Sequence, residues 1–307
     1  MISILMSTFN GEKYLCEQIN SLLAQTYQNF VIHVCDDAST DSTWKMLSVY
    51  ADKYPDKFVI TQRKKNSGSA KHNFMDIIIK NKSAYVMLCD QDDVWLPDKI
   101  EKTLSQMKKM EQMYPNTPIL VRTDLCVVNN DLDVINPSYK KAMHSNFGRT
   151  ELRHVLIQNT FAGCTAMYNK VLADLIIDEP DYCIMHDWWI ELVASAFGKL
   201  CHIDEPTALY RQHDKNEIGA KDVRKLSYKI DRVIHYKEVK EAIRITYKQA
   251  ESFLKIYKDK LQKNQIVLLE RYCMMPTLSK LSRWKTICSL GTYKNGLSRN
   301  IAYFLFV

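Results

Sequence analysis

The sequence lacks any run of about 20 apolar residues, so nothing in it predicts a helix that spans a membrane. Its nine cysteines include no Cys-x-x-Cys pair, which argues against a zinc site. Their odd number and their places inside apolar runs favour free buried thiols in a reducing compartment. No basic segment precedes the apolar start of the chain, as it would in a secretory signal. We therefore expect a cytoplasmic protein.

The chain also lacks an even distribution of charge. Residues 220–307 contain 19 Lys and Arg against 7 Asp and Glu, whereas residues 1–219 contain 23 against 28. The 46% hydrophobic and 25% charged residues are typical of a globular protein and exclude a disordered chain. The sequence thus predicts an acidic domain over residues 1–219 and a basic helical region over residues 220–307.

Short apolar runs alternate with amphipathic stretches over the first 113 residues. Strands are predicted at Ile2–Met6, Phe30–Cys35, Phe58–Gln62 and Ala84–Cys89, and helices at Gly11–Ala24, Thr40–Ala51, Ala70–Lys80 and Pro97–Met113. Ser39 or Asp41 is the expected N-cap of the second helix. This alternation is typical of an α/β fold with a mainly parallel sheet and helices on both faces.

Residues 114–307 are less regular. The pattern predicts strands at 119–128, 161–168, 200–203 and 207–212, and helices at 152–158, from 170, and at 186–197. A polar loop is expected at 129–149, and long helices at about 222–263.

Polar residues follow each of the first four predicted strands. They form the segments Ser7–Gly11, Asp36–Asp41, Arg63–Gly68 and Asp90–Asp93. In a parallel sheet these segments meet at the carboxyl edge, where ligands bind. Crowded carboxylates repel one another, so their convergence indicates a site. Asp90-Gln91-Asp92 has the Asp-X-Asp spacing that can hold Mg²⁺ or Mn²⁺, although such clusters also cap helices.

These motifs resemble those of family-2 glycosyltransferases with the GT-A fold, and bacterial rhamnosyltransferases in particular. The resemblance covers residues 1–219, with a nucleotide-sugar-binding half at 1–113 and an acceptor or catalytic half at 114–219. It is carried by Ile4–Gly11 with Gln25-Thr26, Val34–Asp41, Asn66–Gly68, Asp90–Trp95, His186–Trp189, and Tyr210–His213 followed by Asn216.

The resemblance implies a nucleotide cleft. The residues that would line it are Ser7, Thr8, Asn10, Asp36, Asp37, Lys71, His72, Asp90 and Gln91. Asp37, with Asp36 as a second candidate, would accept a hydrogen bond from the N3–H of a pyrimidine base. A carboxylate at this position could instead stabilise a helix N-terminus. Lys71 or His72 would lie near the diphosphate, or belong to a solvated charged run.

The resemblance also implies a Mn²⁺ or Mg²⁺ ion held by Asp90, Asp92 and His213. The ion would stabilise the charge that develops on the departing nucleoside diphosphate. A neutral imidazole ligand suits Mn²⁺ better than Mg²⁺. The alternative for His213 is an exposed loop histidine without a ligand role.

Asp187 is the implied catalytic base. It would take the proton from the acceptor hydroxyl during an inverting displacement, although an Asp at this position could also be a helix N-cap. The side chains expected to contact sugar or acceptor are Asp93, Trp95, Trp188 and Trp189. One of the last two is expected to pack in the core instead, and the same alternative applies to Trp95.

The expected activity is transfer of one sugar from dTDP-rhamnose or a UDP-hexose to a glycan, in the synthesis of bacterial surface polysaccharide. The Gln-x-x-Arg-Trp signature of processive synthases is absent. A non-catalytic nucleotide-sugar-binding or assembly subunit is the alternative function.

The basic C-terminal region has three interpretations. Residues 271–307 contain six Lys and Arg, several aromatic residues and no Asp or Glu. This composition suits an anionic membrane surface, where a lipid-linked glycan acceptor would lie. It would also suit a helix that packs on the body with a solvated basic face. Nucleic acid is disfavoured, because the body carries no nucleic-acid-binding motif.

Overall fold

The computed structural model describes residues 1–144, 146–213 and 236–307, and it confirms the α/β fold. The strands are β1 (Ile2–Thr8), β2 (Phe30–Asp36), β3 (Phe58–Gln62), β4 (Tyr85–Cys89), β5 (Val94–Trp95), β6 (Ile119–Val128), β7 (Val134–Asn136), β8 (Ala166–Asn169) and β9 (Lys199–Arg211). The first eight helices are α1 (Leu15–Leu23), α2 (Thr43–Lys53), α3 (Ala70–Lys80), α4 (Lys99–Met113), α5 (Tyr139–Ala142), α6 (Leu152–Val155), α7 (Lys170–Ala173) and α8 (His186–Phe197). The described residues 236–307 add four, namely α9 (Tyr236–Tyr257), α10 (Lys263–Cys273), α11 (Lys280–Leu290) and α12 (Leu297–Phe306).

The strands form one sheet in the order β3-β2-β1-β4-β8-β6-β9-β5, with β7 paired to β6. The first four positions are parallel to one another, and β6 is parallel to β9. The remaining pairs, through β5, β7 and β8, are antiparallel. The sheet is therefore mainly parallel, as predicted.

Strand β1 explains why the N-terminal half folds around the sheet. All seven of its residues are buried. Ile4 lies opposite Ile32 of β2 and Met87 of β4, and all three are fully buried. A strand covered on both faces is mostly apolar, and Ile2–Met6 shows this pattern with Ser3 as its one polar residue.

Several predicted boundaries of helices and strands are wrong. Helix α2 begins at Thr43 after Ser42, so neither Ser39 nor Asp41 is its N-cap. The Ser39 hydroxyl instead donates to Asp36. Strand β5 was not predicted, and the predicted loop at 129–149 contains β7 and α5. Residues 200–212, predicted as two strands, lie mostly within the single strand β9, and β8 is shorter than expected.

The described chain divides into two compact units. The first comprises residues 1–139, 161–179 and the described residues from 198 onward to 213. The second comprises 140–160 without residue 145, 180–197 and 236–307. The predicted boundary at 219/220, the motif residue Asn216 and the start of the helices predicted from 222 lie outside the described residues. Within the described ranges, no helix has both the length and the apolar character needed to cross a membrane.

The second unit has an aromatic core. Trp189 of α8 is fully buried, and its ring centroid lies 5.5 Å from that of Phe253 and 6.2 Å from that of Tyr257. Phe197 packs on the same two rings of α9. The aromatic side chains of α8 thus pack against the long helix α9.

Candidate active site

The loop after β1 is fixed to the loop after β2 by a left-handed residue. Asn10 has φ +46°, a conformation that Asn tolerates better than most residues. Its side-chain oxygen accepts from Thr40 N at 2.8 Å, and its backbone N donates to Ser39 Oγ at 2.9 Å. Gly11 N donates to Thr43 Oγ1 at 2.8 Å. The first two polar segments predicted from the sequence therefore lie together.

Asp36 organises this region from within. It is fully buried. One carboxylate oxygen accepts from Thr8 Oγ1 at 2.9 Å and from Ser39 Oγ at 2.5 Å. The other accepts from Ser39 N and Gln62 Nε2, both at 3.0 Å. With four donors around it, Asp36 holds the strand ends together.

Asp37 is the carboxylate that positions the third polar segment. Its two oxygens accept from the backbone N and the hydroxyl of Ser67, both at 2.8 Å. Arg63 Nε lies 3.6 Å from Asp37 Oδ1, and Asn66 Nδ2 donates to the Asp37 carbonyl at 3.1 Å. Asp37 is 3% exposed, and both of its carboxylate oxygens already accept hydrogen bonds within the protein.

Asn73 joins α3 to the ends of β1 and β2. It is fully buried, and its Nδ2 donates to Ser7 Oγ and to the Cys35 carbonyl, both at 2.7 Å. Its Oδ1 accepts from Arg63 Nε at 2.9 Å, while Arg63 NH2 pairs with Asp76. No sequence motif pointed to Asn73. The one indication in the sequence is that it is a polar residue on the inner face of a predicted helix.

Lys71 and His72 lie in the first turn of α3, after the N-cap Ser69. The Lys71 side chain is half-buried, and the His72 imidazole contacts the Glu179 carboxylate. The backbone N–H groups of a helix start favour an anion, so this position suits a phosphate.

Gln91 connects the loop after β4 to the loop after β1. Its Oε1 accepts from Phe9 N at 2.9 Å, and its Nε2 donates to the Phe9 carbonyl at 3.0 Å. A Cβ on Gly11 would come within 2.3 Å of Gln91 Oε1. The glycine is therefore needed for this close approach, and the two loops are held as one piece.

Asp92 and His213 form the exposed side of the Asp-X-Asp segment. Asp92 Oδ2 lies 2.9 Å from His213 Nε2, and the two side chains are 18% and 11% exposed. The His213 ring stacks on Tyr14 with ring centroids 5.0 Å apart. The structure thus brings together two of the three predicted metal ligands.

Asp92 and His213 are hydrogen-bonded to each other, and their separation is also compatible with two ligands of one metal ion. Two ligand atoms bonded at about 2.1 Å, in neighbouring positions of an octahedral ion, lie roughly 3.0 Å apart. Asp92 Oδ2 and His213 Nε2 already have this separation, and both side chains reach solvent. Oxygen and imidazole donors together suit Mn²⁺ well.

Asp90, the third predicted ligand, lies beside a different pair. Ligand atoms of Asp90, Asp93 and Cys164 lie within 4.8 Å of one another, and no other such trio occurs among the described residues. Burial, with the carboxylates of Asp92 and Asp90 beside it, raises the pKa of Asp93 well above its ordinary value. Burial likewise raises the pKa of the Cys164 thiol. We do not assign this trio as the metal site, because Asp93 and Cys164 are buried and a thiol is a poor ligand for Mg²⁺ or Mn²⁺.

Asp93 and Trp95, predicted to contact sugar, are not at the surface. Asp93 is fully buried and accepts from Arg211 N at 3.2 Å. Trp95 is 2% exposed, and the Lys99 ammonium lies 4.8 Å from its ring centroid. In this conformation neither side chain presents a face to a sugar, because both are buried.

Arg211, which the sequence analysis left without a role, anchors the site from β9. The side chain is 1% exposed. Its Nε donates to the Asp92 carbonyl at 2.9 Å, and its terminal nitrogens bond Glu17 and the Asn130 carbonyl. Its guanidinium lies 4.5 Å from the Tyr14 ring centroid. Arg211 therefore holds the backbone of Asp92, and it packs on the same Tyr14 ring as His213.

Asp187 lies in the second compact unit, in the first turn of α8. It is 6% exposed, and its Oδ1 accepts from Trp188 N at 2.6 Å and from Asn159 Nδ2 at 3.2 Å. The Trp188 indole donates to the Val155 carbonyl at 2.6 Å. Trp189 is the tryptophan that packs in the core, so its predicted contact with sugar is not supported.

Comparison with known proteins identifies the family. The sequence model described as Glycosyl transferase family 2 matches residues 3–175. The dTDP-rhamnosyl transferase RfbG of Shigella flexneri is 28% identical over 237 residues, which cover 73% of this chain and 77% of that protein. The UDP-Glc:alpha-D-GlcNAc-diphosphoundecaprenol beta-1,3-glucosyltransferase WfgD of Escherichia coli is 30% identical over 122 residues, or 39% of this chain and 47% of that protein.

A solved structure shares the fold. The crystal structure of S. aureus TarS 1–349 in complex with UDP-GlcNAc superposes with a TM-score of 0.58 at 16% identity. The match covers 94% of this chain and 79% of that one. It confirms the GT-A architecture that the resemblance of the motifs implied.

Proposed function

Because the chain belongs to glycosyl transferase family 2, we propose that it moves one sugar from a pyrimidine nucleotide sugar to a glycan, with inversion and with a divalent metal ion. The observation that carries this proposal is the Asp92–His213 pair, set at 2.9 Å beside the convergent loops after β1, β2 and β4. dTDP-rhamnose is the proposed donor, with a UDP-hexose as the alternative. The name of RfbG supports dTDP-rhamnose, and the name of WfgD supports a UDP-hexose. We rank dTDP-rhamnose first because the alignment with RfbG covers more of this chain.

The nucleotide would bind at the loops that follow β1 and β2. The residues assigned to it are Ser7, Thr8, Asn10, Asp36, Asp37, Lys71, His72, Asp90 and Gln91. Asp36 and Gln91 act by shaping these loops, since their side-chain atoms bond within the protein. The helix start at Lys71 and His72 would take the diphosphate.

Asp92 and His213, with Asp90 nearby, would hold Mn²⁺ or Mg²⁺. When bound, the ion would stabilise the negative charge on the departing diphosphate without a proton donor. Arg211 keeps the Asp92 backbone in place through the bond from its Nε.

Asp187 is the proposed base. Its carboxylate would take the proton of the acceptor hydroxyl while the hydroxyl oxygen bonds to the anomeric carbon. The bond from that carbon to the diphosphate oxygen then breaks with its electron pair on the diphosphate. Attack opposite the leaving group inverts the anomeric centre. The bonds from Asn159 and Trp188 N orient the Asp187 carboxylate for this role.

The proposed acceptor is a lipid-linked glycan of bacterial surface polysaccharide synthesis, a class consistent with the name of WfgD. Such acceptors place the protein in the cytoplasm, at the inner face of the membrane. The basic region within 220–307 is the proposed point of contact.

The test compares Asp187→Asn with the wild type, using dTDP-rhamnose or UDP-glucose, Mn²⁺ and a synthetic lipid-linked acceptor. We expect kcat to fall about 10²–10⁴-fold while nucleotide binding is retained. Asp181→Asn, an exposed carboxylate of the same compact unit, is the matched control. Equal kcat values for the Asp187 variant and the control, or a product with retained anomeric configuration, would overturn the assignment of the base.

A further inference from the structure

The solvent face of α12 is apolar. Leu297, Ile301 and Leu305 are 79%, 53% and 54% exposed. They are spaced by four residues, so they lie in one row along the helix. The opposite face is anchored to the second unit through Tyr303, which is 1% exposed. We call Leu297, Ile301 and Leu305 the apolar row.

The segment of the chain that carries the apolar row is cationic. Residues 271–307 carry six Lys and Arg and no acidic residue. Of these, Lys280 and Lys285 of α11 are exposed. Helix α11 packs on α12, since the Trp284 indole donates to the Phe304 carbonyl at 2.7 Å. A half-buried tryptophan beside exposed lysines is typical of a surface that meets lipid headgroups.

We infer that the apolar row of α12 inserts into the headgroup region of an anionic lipid bilayer, with α11 supplying the cationic contacts. Lipid fits better than a second copy of this chain. A self-association through this face would oppose basic residues to basic residues, with no acidic partner in 271–307. Anionic headgroups supply both an apolar layer and the opposite charge.

This inference deepens the membrane part of the proposed function and rests on it, because it names the residues that make the contact. The assay below contains neither nucleotide sugar nor acceptor. Its failure would therefore remove the membrane contact and leave the catalytic proposal standing, whereas failure of the transfer assay would leave this contact standing.

The experiment measures co-sedimentation of the full chain with sucrose-loaded vesicles. One vesicle type contains phosphatidylcholine with about 30% phosphatidylglycerol, and the other contains phosphatidylcholine alone. We expect the wild type to bind the anionic vesicles, and to bind them less as salt rises. Replacing one half-exposed Leu or Ile of the row by Ser should weaken partitioning about tenfold, and Ile301→Ser with Leu305→Ser about 100-fold.

The matched control is Val267→Ser on α10, which is 51% exposed and lies outside the apolar row. It should bind as the wild type does. Leu297→Ser, at the most exposed position, replaces the double variant if that variant has a lowered melting temperature. Wild-type binding to neither vesicle, or equal binding by wild type and row variants, would overturn the inference. So would a dimer, seen by light scattering without lipid, that the row variants abolish.

Discussion

Lys99 is a buried cation at the first residue of α4, and its removal gives a quantitative prediction. The side chain is fully buried, its Nζ donates to Thr207 Oγ1 at 3.0 Å, and it lies 4.8 Å from the Trp95 ring centroid. Burial lowers the pKa of Lys99 from 10.5 to about 8. The perturbation is Lys99→Met, which keeps much of the apolar stem and removes the charge.

The sign follows from proton linkage. Below pH 8 the lysine is charged in both the folded and the unfolded chain, so the folded state carries the full cost of burial. Between pH 8 and 10.5 the unfolded chain binds more protons, and the free energy of unfolding therefore rises with pH. A shift of this size corresponds to about 3 kcal/mol in total, of which roughly 2–3 kcal/mol is regained between pH 7 and pH 10.

The assay is urea unfolding of the wild type and Lys99→Met at several pH values in that range. We expect the difference in unfolding free energy, wild type minus variant, to rise by roughly 2–3 kcal/mol toward high pH. Lys108→Met, at an exposed position of the same helix, should show no such change. Thr207 keeps a partner in the variant, because its hydroxyl lies 2.7 Å from that of Thr123. A pH-independent difference for Lys99→Met would refute the reasoning.

Three further predictions concern residues of the candidate site. Gly11→Ala places a Cβ 2.3 Å from Gln91 Oε1, so kcat/KM should fall at least about tenfold and recover in part when Gln91→Ala is added. An absence of rescue in steady-state kinetics would argue against this clash. His213→Ala should weaken Mn²⁺ binding by at least about tenfold in calorimetry, and unchanged affinity would remove His213 from the metal ligands. Asn73→Ala should lower the free energy of unfolding by about 2–3 kcal/mol in urea, because buried partners lose its amide. A loss under roughly 0.5 kcal/mol would mean that the amide contributes little.

The parallel half of the fold could be predicted because its signals are local. β3 and α3 have the predicted bounds, since an apolar run and an amphipathic run are each complete within a few residues. Strand β5 has two residues and depends on pairing with β9, more than 100 residues later, so no local pattern announces it. The prediction of a loop over 129–149 was wrong for the same reason, because β7 forms only through its pairing with β6.

The site was predicted as a set of segments, and its internal bonding was not. The motifs indicated that Asp36, Asp92 and His213 belong to the site. They could not show that Asp36 is saturated by four donors within the protein. Arg211 was beyond prediction as an anchor, because its partners come from three distant parts of the chain. Whether a polar side chain bonds to the protein or stays available to a ligand depends on such contacts.

The side chain of Gln91 has a consequence for how the sheet ends. The ladder between β1 and β4 stops at Met6 and Cys89, three residues before Phe9. By bonding both the N–H and the carbonyl of Phe9, Gln91 acts as one more rung of that ladder, built from a side-chain amide. We therefore expect the backbone amide of Phe9 to exchange its hydrogen with solvent more slowly than an unbonded loop amide, even though Phe9 itself is exposed.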